Sequence, residues 1–186
     1  MARQGRNPSA EAVADEPPGG PEQELGEPEA VARAVCLRLL TQRARSRAEL
    51  ASALAKRGVP DDAATRVLDR FAEVGLVDDA ALASRLAETQ HRERGLARPA
   101  LAAKLRQRGL GEQVDSALAA IDGADERVRA GELVAGRRRT LAGLPPDVQS
   151  RRLVALLARK GYPAGLAYAV VREALGAELD LFAQRS

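Results

Sequence analysis

Aromatic side chains are almost absent from this 186-residue chain, which has two phenylalanines, two tyrosines and no tryptophan. A hydrophobic core must therefore be built from Ala, Leu and Val, which favours close packing of helices over a β-sheet. Proteins that bind single-stranded nucleic acid usually stack bases on aromatic rings, and few are available here. The apolar fraction of 45% is nevertheless sufficient for a folded core.

Cysteine and histidine each occur only once, as Cys36 and His91. A single cysteine excludes an intramolecular disulfide, and the spacing indicates neither a zinc site nor a Cys–His catalytic pair. Cys36 lies among apolar residues of a predicted helix, so we expect it to pack in the core. His91 lies close to Arg92 and Arg94, and we expect it to belong to a basic surface.

Other signals of catalysis or cofactor binding are weak. The carboxylate pairs Asp61-Asp62 and Asp78-Asp79 both fall where a helix is predicted to start, so capping explains them better than acid–base catalysis. Gly109-Leu110-Gly111 lacks the third glycine and the preceding strand of a dinucleotide-binding loop, and no phosphate-binding loop of the Gly-x4-Gly-Lys-Ser/Thr type occurs. We expect no enzymatic activity, no cofactor and no metal.

Long apolar runs are missing as well. No run approaches the roughly 18 residues that suggest a membrane span, and the first residues lack the apolar block of a signal peptide. We therefore expect a cytoplasmic protein without a membrane partner.

Charge is distributed unevenly along the chain. Residues 1–29 hold two arginines and seven acids, whereas the rest holds 27 Lys and Arg against 19 Asp and Glu, a net +8. Residues 1–28 also contain the run Pro17-Pro18-Gly19-Gly20-Pro21, and we predict that they form a disordered acidic tail. The basic remainder suits an anionic partner, although a solvated arginine-rich surface would have the same composition.

One helical pattern, Leu-x3-Leu-x3-Gly, occurs three times and ends at Gly58, Gly109 and Gly161. The glycines lie 51 and 52 residues apart, and such a fixed period is typical of an array of similar units. We predict an all-α fold, an elongated and curved tandem array of three three-helix repeats that resemble helix-turn-helix units. The predicted repeats and C-terminal tail are 29–77, 78–123, 124–176 and 177–186.

Helix boundaries follow from capping signals. Ser46 and Glu49 form a Ser-x-x-Glu capping box before the first copy of the repeated pattern. In the joint at residues 75–79 we expect Leu76 and Val77 to fill the core and an aspartate to cap the next helix. Asp147 is predicted to cap the helix that ends at Gly161.

Arginine is densest between residues 85 and 108. Arginine makes bidentate contacts with phosphates and carboxylates, so we expect salt-sensitive contacts with a DNA backbone or an acidic protein surface rather than base readout. For any one of these arginines, simple solvation is an alternative. The candidate partner- or DNA-binding residues are Arg43, Arg45, Arg47, Arg85, Arg92, Arg94, Arg98, Lys104, Arg106, Arg108, Arg137, Arg138, Arg139, Arg151 and Arg152.

Three stretches together resemble the RecX family of bacterial recombinase modulators. They are the run from Leu40 to Leu50 with its arginines, the joint at residues 75–79, and the arginine-rich segment from Gly95 to Gly109. The resemblance covers about residues 30–175. Two departures are Leu82, where the family often has an aromatic residue, and Lys104, where it often has an acid.

The resemblance implies a non-enzymatic inhibitor of the RecA recombinase. It would bind the recombinase filament on single-stranded DNA and limit filament growth, strand exchange, ATP hydrolysis and coprotease activity, and so modulate DNA repair, homologous recombination and the SOS response. We expect it to act as a monomer that bridges recombinase subunits, with Arg92, Arg94 and Arg98 as central contacts.

Two alternatives come from the helical pattern. A helix-turn-helix-like regulator could bind duplex DNA directly. A structural adaptor with no nucleic-acid role is also compatible with the sequence.

Overall fold

The computed structural model describes residues 26–183, with side chains described as far as residue 176. Almost all of the predicted acidic tail at residues 1–28, and the side chains of residues 177–186, lie outside this part. Within it the chain forms nine α-helices and no β-strand, as predicted. The helices are α1 (Glu27–Gln42), α2 (Arg47–Ala55), α3 (Asp61–Glu73), α4 (Asp79–Arg94), α5 (Arg98–Gln107), α6 (Val114–Leu118), α7 (Gly123–Arg138), α8 (Pro146–Arg159) and α9 (Ala164–Ala183).

Three hydrophobic cores follow one another along the chain. Residues of α1, α2 and α3 enclose the first, which includes Phe71 and the buried thiol of Cys36. Helices α4 to α6 enclose the second core, and α7 to α9 enclose the third around Val134 and Tyr162. The tandem three-helix array and the core position of Cys36 are both confirmed.

The glycine and capping signals place most helix ends correctly. Ser46 accepts the amide of Glu49 at 3.1 Å while Glu49 accepts the amide of Ser46 at 3.0 Å, so the predicted capping box is formed. Asp78 caps α4 through the amide of Ala81 at 2.8 Å. Gly58 adopts a left-handed backbone with φ of 72°, a conformation that glycine adopts without steric cost.

Three aspartates predicted as caps do not cap. Helices α3 and α8 follow Pro60 and Pro145 and have no side-chain cap. Asp61, Asp62 and Asp147 lie instead inside the first turn, where their charge still complements the helix dipole. Asp62 pairs there with an arginine one turn later, at 3.1 Å.

The joint between the first two units holds one core residue, where two were predicted. Val77 is buried, but the side chain of Leu76 is 50% exposed. Both amides donate to the carbonyl of Phe71, at 3.1 and 2.8 Å, and this tight turn leaves room for only one of the adjacent side chains to face inward. Exposure of Leu76 is therefore a cost of the short connection.

The last unit is longer than predicted. Helix α9 continues through Gly176 to Ala183, beyond the predicted end at residue 176. Helix α7 ends at Arg138, and a 3₁₀ turn, Arg139–Leu141, follows it.

The repeated pattern forms the second helix of each unit, namely α2, α5 and α8. The N-terminus of α2 contacts the C-terminal end of α5, and the N-terminus of α5 contacts the C-terminal end of α8. The positive end of one helix dipole therefore meets the negative end of another at both junctions. These end-to-end contacts connect the three units.

Candidate functional site

The first junction, between α2 and α5, is centred on Ser46, which is fully buried. Its hydroxyl donates to the carbonyl of Arg108 at 2.6 Å while its oxygen caps the amide of Glu49. One side chain therefore satisfies both a free amide of one helix start and a free carbonyl beyond another helix end.

Glu49 forms the ion pairs of the first junction. Its carboxylate pairs with Arg108 at 2.7 Å and with Arg43 at 2.9 Å, and it also accepts the amide of Ser46. Burial alone would raise the pKa of Glu49, but the hydrogen bonds from Arg108, Arg43 and the Ser46 amide outweigh it and lower the pKa to about 2. Glu49 is thus ionised at every physiological pH.

Asp79 and Gly109 complete this junction. Asp79, at the start of α4, accepts the amide of Arg47 at 2.9 Å, so its carboxylate serves the first turn of α2. Gly109 lies so close to Ala48 that a Cβ added to the glycine would be 2.3 Å from the alanine Cβ. Glycine is therefore required here by close contact as well as by its φ of 73°.

The second junction, between α5 and α8, has the same layout with different chemistry. The amide of Ala97 donates to the carbonyl of Lys160 at 3.0 Å, and the carboxylate of buried Glu126 accepts the amide of Arg98 at 2.7 Å. A Cβ on Gly161 would lie 2.6 Å from the Cβ of Ala100. Backbone groups thus replace the serine of the first junction.

Tyr162 follows this glycine and is buried in the third core. Burial and then the negative charge of Glu126 raise the pKa of Tyr162 to about 12. Its phenol therefore remains neutral and serves the packing of the junction.

Several candidate partner-binding residues are engaged within the chain. Arg45 lies within 3.4 Å of the carbonyl of Leu39, and Arg47 pairs with Asp69 at 2.6 Å. Lys104 donates to the side chain of Gln90 at 2.9 Å. Arg43 and Arg108 both pair with Glu49. Arg98 donates to the carbonyl of Ile121, and Arg138 donates to the carbonyl of Ala174.

The remaining candidates are exposed and lie on α4, α5, α7, α8 and the 3₁₀ turn after α7. Arg92 is mostly solvated and pairs only loosely with its own helix, through Glu88 one turn earlier at 2.9 Å. Arg151 is similar, 3.6 Å from Asp147. The exposed candidates of this kind are Arg85, Arg92, Arg94, Arg106, Arg137, Arg139, Arg151 and Arg152.

His91 does not simply extend this basic surface, as its neighbours suggested. Its Nδ1 lies 2.9 Å from the carbonyl of Leu96 and the ring is half-buried. The imidazole thus ties the last turn of α4 to the segment after Gly95, which the sequence pattern did not reveal.

Tyr168 was not among the candidates, yet it is 62% exposed on α9. It lies between two open grooves of about 610 and 600 Å³, lined also by Ser150, Arg151 and Arg172. The sequence carried a signal for this, because Tyr168 falls off the apolar stripe formed by Leu166, Val170 and Val171. An exposed tyrosine between arginines is a composition typical of contact surfaces.

The part of the chain that the structure describes shows neither a membrane-spanning helix nor a cluster of metal ligands. No helix within residues 26–183 is long and apolar enough to cross a membrane. Among the side chains of residues 26–176, no three from His, Cys, Asp or Glu come together as potential metal ligands.

Comparison with known proteins gives consistent matches. A family model described as the first three-helix domain of RecX matches residues 32–71. A regulatory protein RecX of Thermobifida fusca is 52% identical over 170 residues, which cover 88% of this chain and 89% of the relative. The regulatory protein RecX of Mycolicibacterium smegmatis is 48% identical, over 89% of this chain and 91% of that protein.

Solved structures match in fold. A crystal structure of RecX from Lactobacillus salivarius superposes with a TM-score of 0.69 at 15% identity, covering 83% of this chain and 98% of that one. A second crystal structure of a regulatory protein RecX gives a TM-score of 0.67 at 20% identity, over 79% of this chain and 72% of the other. The chain belongs to the RecX family of bacterial regulatory proteins.

Proposed function

We propose that this protein is a negative regulator of the RecA recombinase. It binds the recombinase filament on single-stranded DNA and inhibits ATP hydrolysis, strand exchange and coprotease activity. The observation that carries the proposal is the 52% identity to a regulatory protein RecX over 88% of the chain. The array of three units, with arginines left exposed along it, is suited to bridging neighbouring subunits of a helical filament.

The exposed arginines supply the binding chemistry of this proposal. Those of α4 and α8, including Arg92 and Arg151, meet acidic side chains or exposed phosphates and so hinder subunit addition or the movements linked to ATP. Contacts of this kind weaken as salt screens the charges or as counterions compete for phosphate. Arg98 is also a candidate contact, but its guanidinium donates to the carbonyl of Ile121 at 2.8 Å, so the variants below leave it unchanged.

Direct binding to duplex DNA is the alternative function, because each unit has three short helices. In the first unit the third helix, α3, would have to approach the phosphates. Its exposed side chains include four acids, Asp61, Asp62, Asp69 and Glu73, against two arginines, which gives this surface a net charge of −2. Such a surface is repelled by DNA, and the recombinase is the better-supported partner.

The first test is an ATPase assay of the recombinase on single-stranded DNA, titrated with this protein at two salt concentrations. We expect inhibition that requires more protein at the higher salt. R92E/R94E should weaken inhibition at least 10-fold, whereas R70E/R127E makes the same change in net charge away from the candidates and should leave it within about 2-fold. Full inhibition by R92E/R94E would contradict the assigned contacts.

A gel-shift competition separates the alternatives. Sequence-selective retention of duplex DNA without recombinase would favour the helix-turn-helix-like regulator. An adaptor without a nucleic-acid role would be favoured if partner binding survived neutralisation of all the exposed arginines.

A further inference from the structure

The C-terminal end of the repeated helix occurs three times, and within residues 26–183 it is covered by another part of the chain twice. We call it the glycine end: a cation followed by a glycine, Arg57-Gly58, Arg108-Gly109 and Lys160-Gly161. All three glycines have left-handed backbones, with φ of 72°, 73° and 85°. The three ends are therefore alike in both sequence and conformation.

The two covered glycine ends contact a helix start in the same way. Each glycine approaches a small residue of the first turn, Ala48 or Ala100, so closely that a Cβ would overlap it. Each cation also reaches across the junction: Arg108 to Glu49 at 2.7 Å, and Lys160 to the carbonyl of Arg94 at 2.6 Å. A glycine end thus combines a close steric fit with a charged contact.

The first glycine end is open. Residues 55–58 are exposed, and a Cβ on Gly58 would have no atom of the described part of the chain within 4 Å. Arg57 does not reach another unit but donates to the carbonyl of Ala53 in its own helix, at 3.2 Å. The same surface that is covered at Gly109 and Gly161 therefore faces solvent at Gly58.

A second copy of this chain does not offer a suitable helix start. Helices α2 and α5 begin three residues before their first leucine, at Arg47 and Arg98, but α8 begins at Pro146, seven residues before Leu153. In a second copy, the extra first turn of α8 would occupy the space that the glycine end needs. At the positions of Ala48 and Ala100, α8 carries Arg151 and Arg152, which would repel Arg57.

We propose that the Arg57-Gly58 end of α2 is a docking site for a helix N-terminus of a partner protein. The first turn of that helix carries a small residue, which seats against Gly58, and a carboxylate, which binds Arg57 as Glu49 binds Arg108. The positive end of its dipole meets the free carbonyls of α2. The inference rests on the proposed function in one respect: we assign the partner helix to the recombinase.

The test compares two glycines that differ only in this role. Gly58 and Gly75 both have left-handed backbones, with φ of 72° and 73°, and a Cβ on either meets nothing within 4 Å. Asparagine tolerates this conformation better than other residues with a side chain, so Gly58→Asn and Gly75→Asn should fold with similar melting temperatures. Only the first would place a side chain against a docked helix.

Binding is measured by biolayer interferometry on RecA filaments assembled on immobilised single-stranded DNA. We expect G58N to weaken binding at least 10-fold and G75N to change it less than 2-fold. R57E should likewise weaken binding at least 10-fold, whereas R70E should change it less than 2-fold. If wild type binds and G58N binds equally well, the docking site is wrong while the proposed function stands. If the wild-type protein does not bind the filament, both the docking site and the proposed function are wrong. Self-association in sedimentation that G58N abolishes would make the occupant a second copy and would also overturn the assignment.

Discussion

The two junctions share one geometry but are built from different groups. At the first, the hydroxyl of Ser46 and the carboxylate of Glu49 make the contacts that bind the end of α5. At the second, the backbone amide of Ala97 binds the end of α8 through the carbonyl of Lys160. Glu126 of α7 accepts an amide of the first turn of α5, as Asp79 of α4 does for α2. The geometry is thus conserved between junctions although the donors change.

Packing fixes some features of the repeat and leaves others free to vary. The left-handed glycine and the small residue opposite it occur at both junctions, because two helix ends cannot otherwise approach so closely. The polar groups vary, because a helix start offers several free amides that different carboxylates and hydroxyls can satisfy. Steric contacts should therefore be harder to alter than polar ones.

The largest expected effect is from Gly109→Ala, which should lower the free energy of unfolding by about 3 kcal/mol. About 1 kcal/mol comes from the left-handed backbone and about 2 from overlap with Ala48. G58A is the matched control and should show the backbone cost alone. Urea denaturation of the three proteins measures the difference.

Double substitutions should separate the two junctions. In G109A/A48G the overlapping Cβ of Ala48 is removed, so most of the steric loss should be recovered. In G161A/A100G it should not, because the backbone nitrogen of Ala100 would remain 3.1 Å from the new Cβ. Equal recovery at the two junctions would contradict the view that the second one packs backbone against glycine.

The next effect concerns the pH dependence of the first junction. The pKa of Glu49 is lowered from 4.5 to about 2, so its stabilisation is complete above about pH 4.5 and is lost as the pH falls through about 2. We expect E49Q to cost about 2 kcal/mol near neutral pH and to remove this part of the acid dependence. Thermal melts of both proteins between pH 5 and 2 provide the measurement, and parallel curves would refute it.

The smallest effect is from Ser46→Ala, which gives α2 an alanine at its N-cap, as α5 has in Ala97. Loss of the cap and of the bond to the Arg108 carbonyl should cost about 1.5 kcal/mol. S52A, an exposed change in the same helix, should stay within about 0.5 kcal/mol. A cost for S46A no larger than that of S52A would show that Glu49 and Asp79 suffice to cap α2.

The sequence revealed the units because periodic leucines and terminal glycines are local signals. The capping box of Ser46 with Glu49 was predictable for the same reason. The second bond of Ser46, to a carbonyl 62 residues away, was not, since no local pattern encodes which helix end arrives there. The role of the Arg108 side chain in the first junction was missed for the same reason, as was the contact of the Arg98 amide with Glu126 in the second. That these two arginines bind a partner stays a prediction. Tyr168 was overlooked on an exposed surface.

The order in which the chain leaves the ribosome gives the first junction a further consequence. When α2 is made, its Arg47 amide lacks Asp79, 32 residues later, and Ser46 lacks the Arg108 carbonyl, 62 residues later. The first unit can close its own core before either arrives, because that core needs only residues up to Val77. Each new unit then adds contacts to the one before it, so we expect the units to assemble in order from the N-terminus during synthesis. A chain cut short before Arg108 should retain a folded but weakened first unit.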